Sequence, residues 1–179
     1  PEGIFRALEM SRIPVSLDPF LPRALDRRWE GEYSGDDLPR LRAASPDGAV
    51  ISVRVAFTLA RGPLGEIRWQ AEIEGETDQV CQRCLQPMRW HFRLQPDIAL
   101  IRPDDRPSAL GEDAERLELG ADGLLWPAAA VEDEILLALP LAPRHEQCGA
   151  GGHREFEPGE GDREAENPFA VLGQLRGKS

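Results

Sequence analysis

The stretch Val131–Cys148, VEDEILLALPLAPRHEQC, runs an apolar helix, a proline stop and half of a candidate metal site together without a gap. At the helical period, Leu124, Ala128, Val131, Ile135 and Ala138 fall on one stripe, the pattern of an amphipathic helix with one face toward a core. Pro127 suits the first helical position, where its missing N–H is not needed. Glu132, Asp133 and Glu134 fan around the rest of the circumference as a solvated collar or a contact for a basic partner. Leu136, Leu137 and Leu139 make the last turn apolar on several sides, which predicts that this end is buried. Pro140 and Pro143 forbid continuation, and the extended segment between them delivers Arg144, His145 and Cys148 to a fixed place. A core helix followed by an ordinary loop explains the same pattern without any function.

Such a stripe needs a sheet to cover, and the middle of the chain supplies one. Ile51, Val53, Val55, Phe57 and Leu59 alternate with Ser52, Arg54, Ala56, Thr58 and Ala60, giving one apolar and one more polar face. The turn Gly62-Pro63-Leu64-Gly65 reverses the chain, and Ile67, Trp69, Ala71 and Ile73 form the inward face of a second strand. A turn at Gly75 leads to a short third strand around Thr77 to Cys81, and a fourth begins at Met88. The expected fold class is therefore α+β: an antiparallel meander or partly closed sheet covered by the one main helix.

Upstream, Ile13, Val15 and Leu17 predict a short strand, Asp18 caps a helix over roughly residues 19–28, and Trp29 to Tyr33 forms another short strand. Ser34, Asp36 and Asp37 start a helical turn through Leu38 and Leu41. Arg23, Arg27 and Arg28 lie beside Asp26 and Glu30 and read as a solvated ion-pair face rather than a nucleic-acid patch. After Ile101 the chain turns acidic and irregular, with Leu117 and Leu119 as one more short strand. Residues 149–166 are rich in Gly and Glu and read as a flexible linker. Residues 167–179 read as a short helix capped by Asn167, in which Pro168, Phe169, Val171 and Leu172 form an apolar island for docking on a partner or on the chain itself. A single domain over 1–148, the linker and this helix make up the expected organisation.

A chain of 179 residues is long enough for one ordinary core, although 16 prolines and 17 glycines reserve much of it for turns. It carries no run of 18 apolar residues and no secretory h-region, so a soluble, cytoplasmic protein away from membranes is expected. A net charge of −11 argues against general nucleic-acid or DNA binding and suits a basic protein partner. The only locally basic stretch is Cys81 to Leu94, with three arginines and no acid. Arg83, Arg89 and Arg93 are therefore the candidate contacts for RNA or an acidic partner; the rival reading pairs them with Glu72 and Glu74 across the sheet. His91 reads as a surface residue.

Three cysteines are present, two of them in Cys81-Gln82-Arg83-Cys84 between two strands, the geometry of a zinc knuckle. His145 and Cys148 complete a tetrahedral set and would pin the helix end to the sheet. Thiols near the core without metal are the alternative. Redox chemistry ranks last, because Leu85-Gln86-Pro87 opposes the helix on which a thioredoxin-like site depends. No nucleophile, base and orienter come together in the sequence, and no enzymatic activity is expected.

With these residues in place, the chain resembles the YceD family, the bacterial large ribosomal RNA subunit accumulation proteins. The likeness rests on LPRALDRRWEGEY at Leu21–Tyr33, on VCQRC at Val80–Cys84 with Pro87 following, on Val131–Cys148, and on NPFAVL at Asn167–Leu172. It implies a non-enzymatic cytoplasmic factor supporting the synthesis, processing or stability of 23S rRNA, acting on large-subunit precursors directly or through a basic ribosomal protein. It supplies no catalytic residue. The rivals are a zinc-stabilised protein-interaction module without a ribosomal role and a thiol redox protein.

Overall fold

The alternation from Ile51 to Leu59 becomes the buried face of β3 (Ile51–Arg61), and every one of its five apolar residues is buried. The computed structural model describes residues 10–103 and 115–148. Its other strands are β1 (Met10–Arg12), β2 (Arg28–Ser34), β4 (Ile67–Val80), β5 (Pro87–Leu94), β6 (Asp97–Ile101) and β7 (Arg116–Glu118). A 3-10 turn at Pro22–Ala24, α1 (Pro39–Ala44) and α2 (Pro127–Ala138) complete the set. The class is α+β, as the sequence indicates. β3 pairs antiparallel with β2 and β4, whereas β1 joins β2 and β7 joins β6 in parallel, so the open sheet is mixed.

β4 is the spine of the sheet. One edge pairs with β3 over Ile67–Thr77, and the other pairs with β6 near its start and with β5 over Ile73–Val80. At the join between β5 and β6 the Pro96 carbonyl accepts the Ala71 N–H at 3.0 Å, so the shared edge stays bonded across the break.

The expected turn at Gly75 is not there. Gly75 lies inside β4, opposite Val53 on one side and Phe92 on the other. A Cβ at this position would meet the Ser52 carbonyl oxygen at 2.5 Å and the Phe92 ring at 2.7 Å. The glycine serves close approach rather than reversal. Gly75→Ala is therefore expected to cost about 2 kcal/mol through overpacking, a fall of roughly 4–8 °C in Tm. A thermal melt matching the parent would remove this steric account.

Trp29 stacks on Phe57 at 5.0 Å between centroids, and Phe57 meets the edge of the fully buried Trp69. Leu38 just before α1, Leu41 from α1, and Ala130, Val131 and Ile135 from α2 join the same core. The face of α2 that is buried is rotated from the expected stripe, comprising Pro127, Ala130, Val131, Glu132 and Ile135, with Leu124 lying before the helix. The end of α2 departs from expectation too. Leu137 is 82% exposed, because two positions beyond Ile135 correspond to roughly 200° of rotation.

The N-terminal expectations also change. No strand spans Ile13 to Leu17; the chain makes β1 and a single bridge from Leu17 to Leu125. The helix expected over residues 19–28 shrinks to the 3-10 turn, since Pro19 and Pro22 disfavour helical dihedrals in the residues before them and Asp26 sits at φ 56°. Asp18 instead accepts the Phe20 N–H at 2.9 Å. Among the described residues no helix is long and apolar enough to cross a membrane. The expected linker 149–166 and helix 167–179 lie outside the described residues.

Candidate metal centre

β4 delivers Cys81, fully buried, at the head of a tight turn into β5. The Leu85 N–H donates to the Cys81 carbonyl at 2.9 Å, and the Cys81 N–H to the Gln86 carbonyl at 3.0 Å. Leu85 closes the turn at φ 59°, a left-handed conformation that a side chain disfavours, while its own side chain is 71% exposed. Leu85→Gly relieves that strain without emptying a core site and is expected to raise stability by about 0.5–1 kcal/mol in urea unfolding. A decrease would show that the leucine itself is needed there.

From the other side, the chain leaving α2 runs through Pro140 to the buried Pro143, whose carbonyl accepts the Gln82 N–H at 2.8 Å. That bond docks the proline segment on the knuckle. His145 follows, with Nδ1 3.4 Å from Cys84 Sγ and Nε2 3.1 Å from the Pro87 carbonyl. A carbonyl only accepts, so Nε2 carries the proton, and in the neutral ring Nδ1 turns its lone pair to the thiol, able to accept from it or to ligate a metal.

The ligand atoms of Cys81, Cys84, His145 and Cys148 all lie within 4.8 Å of one another. In a tetrahedral zinc site with bonds near 2.3 Å, adjacent ligand atoms stand about 3.7 Å apart, so the set fits the ion with small adjustments. Burial pushes the Cys81 thiol up, but backbone N–H groups of Cys84, His145 and Arg83, with the Cys84 side chain, outweigh it and bring its pKa down to about 5. Thiolate at neutral pH is the form a metal takes. Three sulfurs and one imidazole favour a borderline-soft ion over magnesium or calcium.

The candidate arginine face sits differently. Arg89 and Arg93 project from β5 onto acids of β4 that stand directly opposite in register. Arg89 bonds Glu76 at 2.8 Å and Asp78 at 2.9 Å, and Arg93 bonds Glu74 at 2.9 Å. His91 lies 3.3 Å from Glu76. Arg83 is exposed in the knuckle turn. Glu72, the other expected partner, faces Arg28, which also bonds Glu30 at 2.7 Å. Pro168, Phe169, Val171 and Leu172 fall outside the described residues.

Of the three acids on α2, Glu132 breaks the expectation of a solvated collar. It is 3% exposed, and its carboxylate accepts the backbone N–H groups of Arg40 at 2.6 Å and Leu41 at 3.0 Å, at the start of α1. Arg40 Nε completes the set at 2.8 Å. The sequence does hold a signal for this, since Glu132 stands four residues after Ala128 and three before Ile135 and therefore lies on the helix face toward the core.

The family described as "Large ribosomal RNA subunit accumulation protein YceD" matches residues 69–176, more than half of the chain and both halves of the candidate metal centre. The Haemophilus influenzae protein of the same description is 27% identical over 176 residues, covering 96% of this chain and all of that protein. No solved structure matches. The knuckle, the proline-guided return to it and this match agree, and the chain belongs to the YceD family.

Proposed function

We propose that the chain is a non-enzymatic, cytoplasmic factor in assembly of the large ribosomal subunit, supporting the synthesis, processing or stability of 23S rRNA. The single observation that carries this reading is the near full-length likeness to a protein whose printed name is large ribosomal RNA subunit accumulation protein. Within it, Cys81, Cys84, His145 and Cys148 hold one structural Zn²⁺, which when bound ties the β4–β5 turn to the chain leaving α2. The fit of donor atoms and the depressed Cys81 thiol support zinc.

Contact with the precursor runs through a basic ribosomal protein rather than through Arg83, Arg89 and Arg93. Supporting this, Arg89 and Arg93 are matched by acids across the strand, and the chain carries a net charge of −11. Co-sedimentation of the chain with large-subunit precursors tests the assembly role; absence from those fractions would favour an interaction module without a ribosomal duty. Filter binding to a 23S fragment across a salt series tests the route. The expected result is weak binding, changed by less than about twofold in Arg89→Gln/Arg93→Gln, whereas tight, salt-steep binding lost in that variant would establish direct contact.

A further inference from the structure

A groove of about 570 Å³ runs between α2 and the β6–β7 side of the sheet. Trp69, Ile98, Leu117, Ala130 and Leu136 give it apolar walls, and the exposed Leu137 stands at its lip. Its remaining lining is charged: Glu115, Asp133 and Glu134 against Arg116.

Two features are left unsatisfied there. Glu134 is held above the ordinary carboxylate range by burial and by the nearby charges of Glu115 and Asp133, so an added cation beside it would be stabilised. Trp69 is fully buried, and its indole Nε1 donates to no acceptor. Buried donors almost always find a partner, and this one stands without one in a residue that lines the groove. An occupant matching the lining has apolar side chains for the walls and cationic ones for the acidic rim. Polypeptide of a basic protein has these properties, whereas the phosphates of RNA would be repelled by the acids.

We propose that this groove is the docking site for a basic, apolar-faced polypeptide segment of a large-subunit protein, which rests on the assembly reading above and names where its partner binds. The groove lies on α2 and the β6–β7 edge, apart from the arginines of β5, so the two surfaces can be altered independently.

The probes are the proteins stripped from large subunits with concentrated lithium chloride, separated and titrated one by one against the full chain carrying a photo-crosslinker at Leu137. At least one basic protein is expected to bind and to crosslink at that position. Glu115→Lys/Glu134→Lys should weaken that binding by at least about tenfold, with an unchanged melt as the folding control, while Arg93→Gln shifts it by less than about twofold. The proposal is overturned if none of the separated proteins crosslinks, if charge reversal leaves affinity intact, or if the crosslink goes instead to RNA, to a second copy, or to residues 167–179 of the same chain. Failure of the assembly reading looks different: the unaltered chain is then absent from precursor fractions, whatever it binds when purified.

Discussion

Glu132→Ala lowers the unfolding free energy by about 3–4 kcal/mol, a fall of roughly 6–16 °C in Tm. The carboxylate is buried, yet it is the acceptor for two backbone donors at the start of α1 and the partner of Arg40. The N-terminal N–H groups of a helix have no partner within it, and the residue before Pro39 supplies no side-chain cap. Removing Glu132 leaves the buried Leu41 donor and the part-buried Arg40 donor unmet, and Arg40 with the exposed Asp133 and the Ala129 carbonyl, so the loss exceeds that of an ordinary surface pair. Asp133→Ala is the internal comparison, because that carboxylate is 46% exposed and its removal should cost under about 1 kcal/mol. Urea unfolding of the two variants side by side is decisive, and equal losses would dismiss the staple. Amide exchange at Arg40 and Leu41 should accelerate in Glu132→Ala before the rest of the core loosens.

The second large effect is metal removal. The freshly purified chain is expected to carry one equivalent of Zn²⁺, and a high-affinity chelator or Cys81→Ser should lower stability by about 3–5 kcal/mol. Structural zinc in small fingers contributes about 10–16 kcal/mol of apparent binding free energy, but those peptides have no other core. Here the sheet, α1 and α2 pack independently of the centre, so only part of that figure should appear in unfolding. The pH dependence has a fixed sign. In the metal-free chain the folded Cys81 thiol sits near 5 against an unfolded value of 9.0, so its contribution is complete above 9 and is lost as pH falls toward 5. Proton competition for the ligands works in the same direction in the zinc form. A protein that purifies without metal and melts identically in chelator would end the zinc reading.

How much of this was legible depended on whether a residue's role was set locally. β3 was readable because strict alternation over ten residues has no helical equivalent, and Pro140 and Pro143 correctly foretold the return of His145 to the knuckle. Gly75 misled because glycine beside Glu74 and Glu76 has the composition of a turn, while its real constraint, the Phe92 ring, lies on another strand. β6 was missed since Ile98 to Ile101 is buried on both faces and shows no alternation. Glu132 reads from sequence as part of a solvated collar or a contact for a basic partner, because its partners lie 92 and 91 positions away. The arginines of β5 were visible as a basic run, but only the register brought Glu74, Glu76 and Asp78 opposite them.

The centre joins residues that are made at different moments. Cys84 and His145 stand 61 positions apart, and β3 to β6 lie wholly before the second half of the site. During synthesis the sheet and its thiol pair therefore leave the ribosome well ahead of the imidazole. A chain interrupted before residue 145 carries a two-sulfur site open on its remaining coordination positions, whereas a finished chain closes it. On the zinc reading proposed above, closure of the site thus reports that synthesis has passed Cys148, readable in the nascent chain before any test of its activity.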